Sequence, residues 1–135
     1  MIVVADTSPL NYLVQVKVAH LLPSLYGRIL IPPEVLSELQ SIDAPEDVRG
    51  WAQLVPSWLE VEPPVFIDES LGLDRGEAAA IALAQQIQAD RLLIDERNGR
   101  EVAAALGLEV FGTLAVLKDA AIAGFLDLRT TLDEL

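Results

Sequence analysis

Apolar residues fall along this chain in short runs that are separated by longer, helically spaced segments. The first run, Ile2–Ala5, contains no polar residue and is typical of a strand that is buried on both faces. Short runs follow at 28–31, 91–94 and 109–111, and residues 59–62 alternate as an edge strand does. This pattern predicts an α/β fold with a central parallel sheet of about four to five strands and helices on both faces.

Between these strands, apolar residues recur at the spacing of a helix, which predicts a helix in each segment. The predicted helices span 9–16, 18–26, 33–40, 45–55, 74–88, 97–106 and 113–123, with a further turn within 125–135. Ser8 before Pro9 is a favoured N-cap, and Thr113 is expected to cap the last helix. The helix at 74–88 is apolar over a wide arc, as expected when a helix packs between a sheet and its neighbours.

Composition narrows the class of protein. The chain has 135 residues, which predicts a single domain spanning 1–135, and 52% of them are hydrophobic. It contains no cysteine, which excludes a disulfide, a thiolate metal site and a cysteine nucleophile. The start does not resemble a signal peptide and no apolar run suffices to span a membrane, so we expect a cytoplasmic protein with no membrane partner.

The net charge restricts how the chain can bind nucleic acid. It is −12, from 21 acidic and 9 basic residues, which is unfavourable for binding by phosphate neutralisation alone. Metal ions or a local basic patch would have to overcome this field. Arg97 and Arg100 form the only close pair of basic residues and are candidates for phosphate contacts, although solvated helix charges would give the same pattern.

Two predicted strands end in the same way, each followed at once by a carboxylate. Asp6 comes directly after the first strand and Asp95 directly after 91–94. If these strands are neighbours, their tips lie ~5 Å apart. Two carboxylates at that distance repel unless a cation lies between them, and Mg²⁺ or Mn²⁺ prefers such oxygen ligands. The alternative is that Asp6 only opens a turn.

Two glutamates on predicted helices have unusual settings. Glu38 is flanked by apolar positions on a short helix, and Glu77 opens the alanine-rich helix. Gly76 is unfavourable inside a helix, which predicts that the backbone there approaches another group closely. The alternative for each glutamate is a solvated helix face or a partner of the helix dipole.

Four acidic residues, in their order and spacing, resemble the site of the PIN-domain family of metal-dependent ribonucleases, which includes the VapC-like toxins: Asp6, Glu38, Glu77 and Asp95. The opening Asp-Thr-Ser is similar to the first family motif and gives Ser8 a supporting polar role. Asn98 matches a further polar position three residues after Asp95. The resemblance implies a PIN-like three-layer α/β/α sandwich and covers nearly the whole chain.

Three positions depart from the family pattern. Glu77 lies four residues before Ile81, where the family usually has an aspartate three residues before. Residues three and four positions apart share a helix face, so the longer side chain can reach the same point. Leu93 and Asn98 stand where the family often has Thr or Ser and Asp. The Gly-Glu-Ala-x-Ala-Ile pattern is similar to a less studied branch.

The resemblance implies an endoribonuclease that uses Mg²⁺ or Mn²⁺, acts on RNA as a toxin and pairs with an antitoxin protein. We expect Asp6 and Asp95, at rigid strand tips, to be the primary ligands. Glu38 and Glu77 are expected to close the site from its rim, with Asp74 outside it. Two alternatives remain: a catalytically degenerate PIN-like domain that only binds nucleic acid or protein, and a phosphate-binding or receiver-type α/β domain.

A homodimer is also implied by the resemblance. The candidate contact surface is an exposed apolar patch: Trp51, Leu54, Trp58 and Leu59. The alternative is that both tryptophans simply cover an edge of the sheet.

Overall fold

A computed structural model describes residues 1–126 of the chain. It contains one five-stranded sheet in which every neighbouring pair is parallel, in the order β3-β2-β1-β4-β5. The strands are β1 (Ile2–Ala5), β2 (Arg28–Ile31), β3 (Leu59–Val61), β4 (Arg91–Leu93) and β5 (Val110–Phe111). The predicted parallel sheet is confirmed, with β3 at one edge.

Seven α-helices connect and follow these strands within the described residues. They are α1 (Thr7–Gln15), α2 (Leu22–Tyr26), α3 (Pro33–Leu39), α4 (Glu46–Gln53), α5 (Arg75–Gln86), α6 (Arg97–Ala105) and α7 (Thr113–Ile122). Two short 3₁₀ turns, Ala19–Leu21 and Glu69–Leu71, complete the described elements. Most of the turn predicted within 125–135 lies outside the described residues.

Three helix starts differ from the prediction. Asp6, not Ser8, is the N-cap of α1, and Gly112, not Thr113, is the N-cap of α7. The helix predicted over 18–26 is divided into a 3₁₀ turn and α2, which carries Pro23 in its first turn. Proline has no backbone N–H, so it is tolerated at a helix start but interrupts a continuous helix.

Helices cover both faces of the sheet. Val3, Val4 and Ala5 are fully buried although their side chains alternate between the two faces. On one side α1, α3 and α4 contact one another and α1 contacts α7, while α5 contacts β1, β4 and α6. The connections from β1 through β2 to β3 and those from β3 through β4 to β5 run in opposite directions across the sheet, so right-handed crossovers place their helices on opposite faces. The three-layer α/β/α arrangement is confirmed.

The order of strands reverses between β1 and β4. The chain runs from β1 outward to β2 and β3, then returns to the other side of β1 for β4 and β5. Open α/β sheets bind their ligands where the strand order reverses in this way. Asp6 lies at this point, and its backbone N–H donates to the Leu93 carbonyl over 2.9 Å.

The predicted apolar patch is only partly exposed. Leu54 is 85% exposed, but Leu59 is buried as the first residue of β3, so its predicted exposure is wrong. Trp51 and Trp58 are half-buried, with ring centroids 6.1 Å apart. None of the helices in residues 1–126 has the length and apolar character needed to cross a membrane.

Candidate active site

Asp6 is the most deeply placed carboxylate of the predicted set. It is 3% exposed, and its Oδ1 atom is buried without a hydrogen-bond partner in the described residues. Its pKa is raised from 3.8 to about 7, chiefly by burial and also by the charges of Asp74, Glu38 and Asp95, while the hydrogen bond from the Thr7 amide acts in the opposite direction. The strand tip therefore holds a carboxylate that resists ionisation.

Glu77 is the second carboxylate with this character. It lies in the first turn of α5, is buried, and has an Oε2 atom without a partner among the described residues. Its pKa is raised from 4.5 to about 8, first by burial, then by a hydrogen bond with Asp74 and the charge of Asp74, and last by the charges of Asp6 and Glu96. Glu77 is thus an interior group, which corrects the expectation that it closes the site from the rim.

Glu38 reaches the same region from α3. Burial raises its pKa, the charge of Asp74 adds to this, and the Thr7 side chain acts in the opposite direction. Its carboxylate lies against Gly76, where an added Cβ would overlap Glu38 Oε1. The predicted close approach at Gly76 is therefore confirmed, and the approaching group is one of the candidate site residues.

Asp95 follows β4 by two residues and is tied to the start of α7. Its Oδ1 accepts the backbone N–H of Thr113 over 2.7 Å, and its Oδ2 accepts the Thr113 hydroxyl over 2.5 Å. Its charge also contributes to the raised pKa of Asp6. The strand tips are neighbours, so Asp95 is close enough to Asp6 for its charge to act there, and Thr113 fixes the orientation of the Asp95 carboxylate.

Two more glycines lie against site side chains. A Cβ added at Gly99 would lie 2.5 Å from Glu77 Oε2, and one added at Gly112 would lie 2.7 Å from Asp95 Oδ1 and 2.8 Å from Arg100 Nη1. All three distances are shorter than real Cβ contacts allow. Glycine at these places therefore leaves the space that the carboxylates occupy.

Of the other predicted residues, only Arg100 lies beside the acidic cluster, and the rest are exposed to solvent. Arg100 is half-buried beside Gly112 and lines a cavity of about 520 Å³ together with Asp95. Arg97 instead extends into solvent and pairs with Glu101 over 3.2 Å on the next turn. Ser8 and Asn98 are exposed in the first turns of α1 and α6, and neither makes a side-chain hydrogen bond within residues 1–126.

Asp74 was expected to lie outside the site, and that expectation is wrong. It is the N-cap of α5, where its side chain accepts the Glu77 N–H over 2.8 Å. Of the neighbouring charges, that of Asp74 also contributes most to the raised pKa of Asp6, Glu38 and Glu77. The sequence does contain a sign of this role, because Asp74 lies three residues before Glu77 at the start of a predicted helix. An N-cap side chain accepts a backbone N–H of the first turn and therefore lies close to that turn.

The four predicted carboxylates have the chemistry that a divalent cation requires. Its ligands would be carboxylate oxygens, and none of the four predicted carboxylates makes an ion pair within residues 1–126. Asp6 and Glu77 each contribute a buried oxygen without a partner. As the side chains stand, however, no three acidic or histidine residues in the described part are arranged to hold one ion. Binding would have to draw the carboxylates closer together.

A family model described as a PIN domain matches residues 2–135. The chain belongs to the PIN-domain family. PIN domains are generally nucleases and typically use divalent metals, so this PIN domain has a nuclease-type fold. Curated proteins give no match to the chain.

Proposed function

We propose that this PIN domain is a metal-dependent endoribonuclease that acts as the toxin of a toxin–antitoxin pair. The observation that carries the proposal is the pair Asp6 and Glu77, whose buried carboxylate oxygens have no partner in the described residues. Buried polar groups are almost always hydrogen-bonded, so two such carboxylates in one cluster indicate a missing cationic partner. Asp6 lies at the strand-order reversal where α/β folds bind ligands.

Different residues would bind Mg²⁺ or Mn²⁺ and the scissile phosphate. Asp6 and Glu77 would ligate the ion from the interior, and Glu38 and Asp95 would ligate it from either side. A bound ion of this kind lowers the pKa of water and stabilises charge on a phosphoryl group. Thr113 holds Asp95 in one orientation, and Asp74 keeps the first turn of α5 in place. Arg100 is the nearest candidate for a contact to a neighbouring phosphate.

The test is cleavage of a structured RNA with Mn²⁺ and with EDTA. We expect cleavage only with Mn²⁺, and its loss in Asp6→Asn, which keeps the shape of the side chain but removes its charge. Asp47→Asn is the matched control, because Asp47 is exposed on α4 and accepts only its neighbour's N–H. Cleavage that persists at full rate in Asp6→Asn would contradict the proposal.

The toxin role and the partners need separate tests. We expect expression of the chain in bacteria to arrest growth and Asp6→Asn to relieve the arrest. Co-expression of the protein encoded by the adjacent gene should relieve it as well if that protein is the antitoxin. Light scattering at tens of micromolar checks the proposed homodimer, and a monomer mass would count against it.

A second function is favoured by one specific observation, the net charge of −12. A catalytically degenerate PIN domain that binds a protein needs no attraction to phosphate. In that case Mn²⁺ would leave RNA intact in the assay above, and both aspartate variants would behave like the wild type.

A further inference from the structure

A cavity between α1, α3 and the start of α4 adjoins the candidate site on the side away from Arg100. Its lining includes Asn11 from α1, Glu38 from α3 and Pro45, the N-cap of α4. Its volume is about 280 Å³, close to the lower limit of about 300 Å³ for small-molecule pockets. Because Glu38 belongs to both the cavity and the acidic cluster, a group bound in the cavity would lie next to that cluster.

Two polar atoms on the helices that border this cavity are buried without a partner. Asn11 Oδ1 and Arg49 Nε make no hydrogen bond within residues 1–126. Arg49 lies one turn after Pro45 on the same face of α4, and α4 contacts α1. Buried polar atoms are almost always hydrogen-bonded, so an unmatched acceptor and an unmatched donor on two contacting helices indicate a ligand that carries both kinds of group.

The charge of Arg49 is also unmatched. In the described part of the chain, every other arginine except Arg100 pairs with a glutamate, whereas Arg49 makes no ion pair. Arg49 is half-buried, and the net charge of the whole chain is −12. A partly buried guanidinium without a carboxylate partner in so acidic a chain is a specific place for an anion such as a phosphate.

The lining of the cavity consists of hydrogen-bond acceptors of a different kind. It includes Asn11 Oδ1 and the carboxylates of Glu38 and Asp43. Carboxylates repel a phosphate, so a neutral group that donates a hydrogen bond fits in the cavity, and the phosphate fits at Arg49. In a ribonucleotide the 2′-hydroxyl is such a donor and lies beside the 3′-phosphate, and a deoxynucleotide lacks it.

We propose that this cavity binds the sugar of one ribonucleotide of the substrate, with Asn11 accepting a hydrogen bond from the 2′-hydroxyl and Arg49 binding an adjoining phosphate. This inference rests on the proposed nuclease function and adds the residue that distinguishes RNA from DNA. Glu38 joins the cavity to the acidic cluster, so the bound sugar would lie next to the phosphate that is cut. Asn11 is thus a specificity-determining residue, and Arg49 is a phosphate-binding residue.

The role of Asn11 is tested by the binding of labelled oligo(U) and oligo(dU) of equal length, two single strands that differ only in the 2′-hydroxyl. Fluorescence anisotropy is measured with Ca²⁺ in place of Mn²⁺, and the RNA is checked for intactness on a gel. We expect wild type to bind oligo(U) about threefold to tenfold more tightly, as one hydrogen bond accounts for. Asn11→Leu should bind both strands equally. The ratio compares two probes on one protein, so partial unfolding of a variant does not change it.

The role of Arg49 is tested by the salt dependence of the same binding. Arg49→Met keeps the apolar part of the side chain and removes its charge. We expect the slope of log K against log salt for oligo(U) to become shallower by about 0.7, the contribution of one phosphate contact on a single strand. Arg49→Lys should restore the slope. The preference for oligo(U) over oligo(dU) should remain that of wild type in both variants.

The chain offers a matched control for each variant. Gln15 is an exposed amide one turn after Asn11 on α1, and Arg28 is exposed and already paired with Glu60. Gln15→Leu should keep the preference for oligo(U), and Arg28→Met should keep the salt slope. Equal losses in a control and in its site variant would overturn the role assigned to that site residue.

Failure of this inference and failure of the proposed function are distinguishable. Mn²⁺-dependent RNA cleavage by a wild type that binds oligo(U) and oligo(dU) equally overturns the sugar site and leaves the nuclease in place. A preference for oligo(U) that depends on Asn11, without any cleavage, supports the sugar site and overturns the nuclease. Binding that is unchanged in both Asn11→Leu and Arg49→Met overturns the inference, because their polar atoms would then have no part in holding the strand.

Discussion

Carboxylates at two places in this sheet have opposite surroundings. Near the start of β2, Arg28 donates two hydrogen bonds to the Glu60 carboxylate on β3, at 3.0 and 2.9 Å, and the bonds lower the pKa of Glu60. At the tip of β1, Asp6 and Glu77 have no cationic partner in the described residues, and burial raises the pKa of both. The Arg28–Glu60 pair is neutralised by its own partner, whereas Asp6 and Glu77 each keep a buried oxygen without a hydrogen-bond partner in the described residues, which the proposed cation would supply.

This difference shows how function can be separated from stability within one fold. The Arg28–Glu60 pair is exposed on both sides, so water screens it and its contribution to folding is small. The unpaired carboxylates are held in place by β1 and α5, whose apolar residues fill the core. The fold tolerates their unfavourable burial, as is common at sites that bind ligands.

The largest effect is expected where the carboxylates lack partners. Asp6→Asn and Glu77→Gln should each lower Mn²⁺-dependent RNA cleavage by at least about a hundredfold, because ~1.4 kcal/mol of transition-state stabilisation is a factor of ten. Asp95→Asn should have a smaller effect, since both Asp95 oxygens already bind Thr113. Initial rates under matched conditions test this order, and an Asp95 variant that is more impaired than the other two would reverse it.

Glycine at position 76 provides a way to disturb the site without removing a carboxylate. Gly76→Ala would displace Glu38, because the added Cβ overlaps its carboxylate, and we expect cleavage to fall at least about tenfold. Stability should change little, since the end of a glutamate side chain can move aside.

Gly50→Ala is the matched control for that variant. Gly50 also lies in a helix, α4, but a Cβ there meets nothing within 4 Å. Alanine should stabilise this helix by up to ~1 kcal/mol and leave cleavage unchanged. Equal cleavage by Gly76→Ala and Gly50→Ala would show that the position of Glu38 is unimportant.

The pH dependence of stability tests the raised pKa values. Asp6 and Glu77 bind protons more readily in the folded chain than in the unfolded chain. Their contribution to the free energy of unfolding is therefore full below about pH 4 and is lost as the pH rises through about 7 and about 8. We expect urea unfolding of the metal-free protein in EDTA to show falling stability from about pH 5 to about pH 8. Asp6→Asn should have the flatter profile, and identical profiles would contradict the pKa shift.

The smallest effect on stability and cleavage is expected at the exposed Arg28–Glu60 pair. Glu60→Gln removes an exposed charge whose partner stays hydrated, so the melting temperature and the cleavage rate should both remain close to those of wild type. A large loss of stability in Glu60→Gln would remove the contrast between the two regions.

Much of the fold follows from the sequence because buried parallel strands have a simple signature. Continuous apolar runs such as Ile2–Ala5 can only be accommodated where both faces of a sheet are covered. The carboxylate that follows such a run must lie at the strand tip, so the positions of Asp6 and Asp95 at the ends of two neighbouring strands follow from the sequence once those strands are taken as neighbours.

The arrangement around those carboxylates could not be predicted in the same way. The bond from Thr113 to Asp95 and the approach of Glu38 to Gly76 join residues that are far apart in sequence. Such contacts depend on how the helices pack after the sheet has formed. The capping role of Asp74 is local and can be predicted from sequence, but its charge acts on residues from other elements, which the expectation of a place outside the site did not include.

Calorimetric titration of the metal-free protein with Mn²⁺ tests most directly whether the unpaired carboxylates of Asp6 and Glu77 form a cation site. We expect wild type and Glu60→Gln to bind Mn²⁺ with the same affinity, and Asp6→Asn and Glu77→Gln to bind at least about tenfold more weakly. Absence of Mn²⁺ binding by the wild type, or binding that is unchanged in both site variants, would contradict the claim.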